Sequence, residues 1–271
     1  MFWGSRRGPR VIKNKDLLDC KQGIARFSYE GKVRYGLVSG GRLRLYEGSP
    51  FSGGKPGKQT APLSKVRLLA PCRPSKVVAV GLNYKAHAKE VKKALPAEPM
   101  IFMKPSTSVI GPGEKIVRPA ISERVDHESE LGVVMGRSCR LVSPEEAEDY
   151  VLGYTCLNDV TARDLQARDG QYTRAKGFDT FCPLGPVIAL DLDPRKLQVK
   201  AVVNGETRQN TNTSDMIFDV YQLVSFVSQV MTLNPGDVIA TGTPSGISPL
   251  QAGDEVAIVI QGVGVLSNPV V

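Results

Sequence analysis

Histidine is nearly absent. The 271 residues include two, His87 and His127. Aromatic residues make up 6% of the chain, with a single tryptophan. No apolar run approaches the roughly 18 residues of a membrane-spanning helix, which excludes an integral membrane protein of the helical kind. The five cysteines, Cys20, Cys72, Cys139, Cys156 and Cys182, are odd in number and form no CxxC pair. That rules out a zinc or disulfide framework and points to a reducing compartment. There is no GxSxG elbow, no GxxxxGK[ST] loop, no GxGxxG after a strand and no HExxH. Hydrolase-elbow, P-loop, Rossmann and zincin chemistry therefore lack their usual sequence support. The pair Arg6-Arg7 invites an export reading, but Val11-Ile12 runs directly into Lys13-Asn14-Lys15-Asp16 with no apolar segment. A cytoplasmic location is expected.

What is present is an ordinary globular composition, 41% hydrophobic and 23% charged, with a formal net charge of +8. The surplus is uneven. Up to Cys72 there are 15 Lys and Arg against 4 Asp and Glu, and from Arg73 onward 20 against 23. A basic section could contact nucleic acid. Its charges alternate with apolar residues, however, as in Arg42-Leu43-Arg44-Leu45-Tyr46, so a solvated strand face is favoured and neither a nucleic-acid nor a membrane partner is expected. This section reads as short strands at Ile24–Tyr29, Val33–Val38 and Arg42–Tyr46, then a Gly/Pro/Ser/Lys-rich loop over Ser49–Pro62. Pro71-Cys72-Arg73-Pro74 marks a boundary between a small basic domain, 1–72, and a larger one, 73–271. Further on, strands are predicted at Lys76–Val80, Met100–Met103, His127–Met135, Leu152–Leu157, Val187–Leu190, Leu197–Val203, Asp237–Ala240, Glu255–Ile260 and Gly264–Leu266. Helices are predicted at Tyr84–Lys93, from Ser143-Pro144-Glu145-Glu146, at Val160–Arg168 and at Val220–Met231. Asn204-Gly205 signals a hairpin. The fold class is α+β, mostly β.

Chemistry concentrates in a few places. On a strand, residues two apart face the same side, so Glu128 and Glu130 project together. Two carboxylates on one apolar strand face repel unless a cation lies between them; the alternative is a polar face turned to water. Asp159 sits where an apolar strand hands over to a helix, a common place for an N-cap. Taken with the glutamates, it completes three oxygen donors, which suit Mg²⁺, Mn²⁺ or Ca²⁺ and argue against zinc. Lys176 is a candidate for the countercharge. His87 and Glu90, three apart on a helical stretch, share a face. They form either a carboxylate-oriented general base or a surface pair. Thr241-Gly242-Thr243-Pro244-Ser245-Gly246 ends a strand with N–H and hydroxyl groups that suit a carboxylate; a structural turn fits equally.

Several segments occur together in order: Val80-Gly81-Leu82-Asn83-Tyr84 leading to His87 and Glu90, Phe102-Met103-Lys104-Pro105-Ser106-Thr107, His127-Glu128-Ser129-Glu130-Leu131-Gly132, Asn158-Asp159-Val160-Thr161-Ala162-Arg163-Asp164-Leu165-Gln166, and Thr241-Gly242-Thr243-Pro244. In these, the chain resembles the fumarylacetoacetate hydrolase family from about Ser75 onward. The basic first section is similar to the small N-terminal domain of many bacterial members. The resemblance implies a mixed β-sandwich roll, a homodimer, and Mg²⁺ or Mn²⁺ held by Glu128, Glu130 and Asp159, chelating the α-keto acid end of a substrate. It implies that Lys176 lies beside the bound substrate, Arg163 and Gln166 in the pocket, and Thr243 on a substrate carboxylate. His87 and Glu90 match a water-activating dyad on a lid segment. The implied activity is hydrolysis of a C–C bond in an acylpyruvate, as in aromatic catabolism. The alternatives within the family are 2-hydroxyhepta-2,4-diene-1,7-dioate isomerisation and decarboxylation of oxaloacetate or a related keto acid.

Overall fold

The computed structural model describes residues 14–271 apart from residue 91; Arg6-Arg7 lies outside the described residues. Strands Gln22–Tyr29, Lys32–Ser39 and Arg42–Glu47 form an antiparallel meander. The alternation at Arg42–Glu47 buries Leu43 and Leu45 and turns Arg42 and Arg44 to solvent. The stretch Ser49–Pro62, expected to be a loop, is corrected: Lys55–Pro62 is a fourth strand, paired on one side only. Proline is tolerated on such an edge, where its missing N–H faces no neighbour. Pro56 stands opposite Tyr46 and Pro62 opposite Arg42.

Gln22–Tyr29 joins the meander to Cys182–Ala189. The same sheet then runs through Val151–Asn158, Ser129–Met135, Val238–Ala240 and Val77–Val80 to Ile101–Lys104. Every residue of Ser129–Met135 is buried, the pattern of a strand covered on both faces. A second, four-stranded sheet has the order Glu206–Asn212, Gln198–Val203, Glu255–Ile260, Gly264–Pro269. Its first turn is the expected Asn204-Gly205, both residues at positive φ (51° and 86°), as a two-residue hairpin turn requires. The two sheets share one core: Val133 and Met135 pack with Val199, Ala201 and Ile258, and with Leu223, Val224 and Val227 of the helix Val220–Val230. That helix opens on a reciprocal capping box between Asp219 and Gln222. Burying each of its aliphatic side chains contributes about 1.5–3 kcal/mol. The chain is α+β and mostly β, as its strand-rich pattern predicts.

Two helix expectations are corrected. At Ser143 the Glu146 carboxylate accepts from the Ser143 N–H at 3.0 Å, so half a capping box forms. Only a 3₁₀ turn, Ala147–Tyr150, follows, because the chain enters the strand Val151–Asn158 at once. Thr161–Ala162, placed in a helix, instead bridges Val125–Asp126, and the helix begins at Arg163. Among the described residues, no helix is long and apolar enough to cross a membrane.

Candidate active site

Three carboxylates converge at the middle of the larger sheet. Glu130 lies on the strand Ser129–Met135, Glu128 immediately before it, and Asp159 just past the end of the neighbouring strand Val151–Asn158. All three are buried, and one oxygen from each lies within 4.8 Å of the others. The water-exposed strand face considered for the glutamates is thus absent. Asp159 caps no helix, since the helix that follows is capped at Ala162.

Cations surround the carboxylates. Lys176, on the short helix Thr173–Lys176, donates to Glu128 Oε2 at 2.7 Å and Asp159 Oδ2 at 2.6 Å. Lys104 lies in the segment Phe102-Met103-Lys104-Pro105-Ser106-Thr107, at the end of the strand Ile101–Lys104. It is fully buried and donates to Asp159 Oδ1 at 2.5 Å, the Lys176 carbonyl at 2.6 Å and the Val160 carbonyl at 3.3 Å. Arg163 Nη2 pairs with Glu128 Oε1, its Nε donates to Asp126 Oδ2 at 2.9 Å and its Nη1 to Gln166 Oε1 at 2.6 Å. The Phe102 ring lies 5.2 Å from Lys176 Nζ and meets Tyr172 edge-on.

Burial alone would raise the Glu128 carboxyl, but the charges of Lys176 and Arg163 hold it far below the usual carboxylate range. Glu130 has no such cation partner. Burial, reinforced by the charges of Asp159 and Glu128, pushes it well above that range. For Lys176, burial favours the neutral amine, yet Asp159 and Glu128 outweigh it and the ammonium is stabilised.

The Thr241–Gly246 turn ties the remaining candidates together. Gly242 N–H donates to Glu130 Oε2 at 2.8 Å, and Gly246 N–H to Glu90 Oε1 at 3.0 Å. Glu90 Oε2 in turn lies 2.7 Å from His87 Nδ1, both residues on the helix Lys85–Glu90. No hydrogen bond joins His87 directly to the three carboxylates among the described residues; the turn is the link. Gly242 has φ +93°, and an added Cβ would sit 2.7 Å from Asn83 Cβ, so glycine is required there. Thr243 Oγ1 donates to the Ser129 carbonyl at 3.1 Å and accepts from Gln209. Its proton is committed inward.

The donor set fits a hard divalent cation. It is all oxygen and carries three carboxyl groups, and Glu130 Oε1 is outside every hydrogen bond of the site. The oxygens facing Lys176, Lys104 and Arg163 keep a second lone pair for a metal. A β-rich scaffold with such a buried carboxylate triad offers the donor set of a divalent-metal site. Residues 76–271 match the family described as fumarylacetoacetate (FAA) hydrolase, C-terminal, and the chain belongs to that family. Residues 24–71 match a second one, Rv2993c-like, N-terminal. The chain is similar to 2-hydroxyhepta-2,4-diene-1,7-dioate isomerase from Mycobacterium marinum, with TM-score 0.86, 46% identity and coverage of 92% of this chain and 98% of that one. It is 43% identical to a mitochondrial oxaloacetate tautomerase of Rattus norvegicus, over 78% of this chain and 71% of that protein. Maleylpyruvate hydrolase from Sphingobium sp. SYK-6, solved with manganese(II) and pyruvate, is 34% identical at TM-score 0.76, covering 92% and 98%.

Proposed function

We propose that the protein is a divalent-metal-dependent hydrolase that cleaves a C–C bond of an acylpyruvate, a 1,3-diketo acid, and releases pyruvate. The observation that carries this is the paired His87 and Glu90, hydrogen-bonded to each other and fastened to the turn that also holds Glu130. A water-activating base is the part that an isomerase can spare. Glu128, Glu130 and Asp159 would hold Mg²⁺ or Mn²⁺, with Ca²⁺ also compatible with their oxygen donors. When bound, such an ion polarises the keto oxygen as a Lewis acid. Lys176 meets the negative charge that develops on that oxygen. Arg163 and Gln166 line the pocket, and the Thr243 turn receives a substrate carboxylate. Glu90 orients the His87 imidazole, which takes a proton from water as the water oxygen adds to the distal carbonyl. The C–C bond then breaks, a carboxylic acid forms, and pyruvate leaves as its enolate, which takes at carbon the proton that His87 removed from water. A homodimer in the cytoplasm, serving the breakdown of aromatic compounds, is part of the same proposal, as is the division at 72/73.

Acetylpyruvate and fumarylpyruvate with Mg²⁺ provide the test, with pyruvate release as the readout. Release that does not exceed that of His87→Ala removes the hydrolase assignment. A second activity, isomerisation or tautomerisation of dienedioates or oxaloacetate, or decarboxylation of the latter, has one observation in its favour. Identity to the isomerase and tautomerase relatives, 46% and 43%, exceeds the 34% to the hydrolase. Enol absorbance with 2-hydroxyhepta-2,4-diene-1,7-dioate, unchanged in His87→Ala, would favour it.

A further inference from the structure

Gln209 stands on the strand Glu206–Asn212, in the second sheet, and reaches the turn and the carboxylate strand. It is 1% exposed, and every valence of its amide is used. Nε2 donates to the Pro244 carbonyl at 2.7 Å and to Thr243 Oγ1 at 2.8 Å. Oε1 accepts from Ser129 N–H at 2.9 Å and lies 3.1 Å from His127 Nδ1. The partners fix the orientation: a carbonyl can only accept, so Nε2 faces Pro244, and the Ser129 N–H can only donate, so Oε1 faces Ser129. His127 must then carry its proton on Nδ1, leaving Nε2 to accept from Ser248 Oγ at 2.8 Å. Burial disfavours the imidazolium, with the bond to Gln209 opposing it only in part.

These bonds close a ring. Ser129 N–H donates to Gln209, Gln209 donates to Thr243, and Thr243 Oγ1 returns a proton to the Ser129 carbonyl. Ser129 lies between Glu128 and Glu130, while Thr243 and Pro244 belong to the turn whose N–H groups hold Glu130 and Glu90. We infer that Gln209 is a positioning residue that fixes the Thr243–Pro244 part of the turn against the carboxylate strand, acting through Thr243, and thereby sets keto-acid affinity without setting metal affinity. This rests on the function proposed above, in which the turn receives a substrate carboxylate. The physical basis is that Glu128 and Asp159 are held by Lys176, Lys104 and Arg163, and that the Gly242 N–H holding Glu130 follows Thr241, which is anchored to Leu131 and Asn83 without Gln209, whereas Thr243 and Pro244 take their bonds from Gln209. Orientation within an ångström is what ligand binding needs from such a turn.

Gln209→Glu keeps the acceptor toward Ser129 and His127 and removes the donors to Thr243 and Pro244; Gln209→Met removes all four contacts. Mn²⁺ affinity is read by electron paramagnetic resonance, and pyruvate affinity for the Mn²⁺-loaded protein by water proton relaxation. Both variants are expected to keep Mn²⁺ affinity within about threefold of wild type and to lose at least tenfold in pyruvate affinity. In Thr243→Val a similar loss is expected, and Gln209→Glu combined with Thr243→Val should lose no more than either alone. Pyruvate affinity within twofold of wild type in both Gln209 variants overturns the inference. Losses that multiply in the double variant, or Mn²⁺ and pyruvate affinities falling in step, overturn it equally. Wild-type protein that binds Mn²⁺ but shows no Mn²⁺-dependent pyruvate binding contradicts the proposed function itself, and the inference falls with it.

Discussion

Lys104→Met isolates the buried cation that pairs with Asp159. Methionine matches the length of the stem, so the substitution removes charge and donors with little change in volume. It strips three acceptors at once: Asp159 Oδ1 at 2.5 Å, the Lys176 carbonyl at 2.6 Å and the Val160 carbonyl at 3.3 Å. An acceptor left buried without a partner costs about 1–3 kcal/mol. Removing one member of a buried ion pair costs about 3–5 kcal/mol. Asp159 retains Lys176 as a second partner at 2.6 Å, which places the expected loss at the low end, about 3 kcal/mol. For a chain of this size that is a fall in Tm of roughly 6–12 °C. Circular dichroism melts and urea midpoints on the metal-free protein measure it. A Lys104→Met variant within about 0.5 kcal/mol of wild type would refute the argument, because only a solvated lysine behaves so.

Three further outcomes follow from the geometry. Asp237 is buried and accepts from Ser75 N–H, Ser75 Oγ and Lys76 Nζ at 2.9, 2.7 and 2.5 Å, joining the strands Val77–Val80 and Val238–Ala240. Although burial pushes its carboxyl up, these bonds hold it below the usual range, so its stabilisation is present at neutral pH and disappears as pH falls below about 4. Asp237→Asn should therefore lower the urea midpoint at pH 7 and narrow its gap to wild type at pH 3. A gap that does not change with pH contradicts this. Gly242→Ala forces a Cβ into Asn83 at positive φ and is expected to cost about 1–3 kcal/mol while weakening Mn²⁺ binding through Glu130; unaltered melting and binding would count against it. Leu223→Ala, in the core shared by the helix and both sheets, should cost about 2–5 kcal/mol by chemical denaturation, and a loss under 1 kcal/mol would deny that packing.

Much of the fold was legible because strand alternation and the Asn204-Gly205 turn are local signals. The three carboxylates were found by residue type and by a two-residue spacing, which needs no tertiary information. What stayed hidden was long-range. Lys104 and Asp159 are 55 positions apart, and Gln209 and Ser129 are 80 apart, so no sequence window brings them together. A lysine inside an apolar strand, Ile101–Lys104, was the one local sign that Lys104 has a buried partner. The strand Lys55–Pro62 is hidden in sequence because Gly and Pro read as turn residues, whereas an edge position tolerates them. The helix from Ser143 was overextended because its capping signal is real but the chain enters a strand after one turn.

The central claim is that Glu128, Glu130 and Asp159 hold one divalent ion per chain. Glu130→Gln tests it most directly, since the amide oxygen can still accept from Gly242 N–H while the negative charge is lost. Calorimetric titration with Mn²⁺ is predicted to show one site per wild-type chain and at least a hundredfold weaker binding in Glu130→Gln, with the fold retained. Equal Mn²⁺ affinity in the two proteins would contradict it.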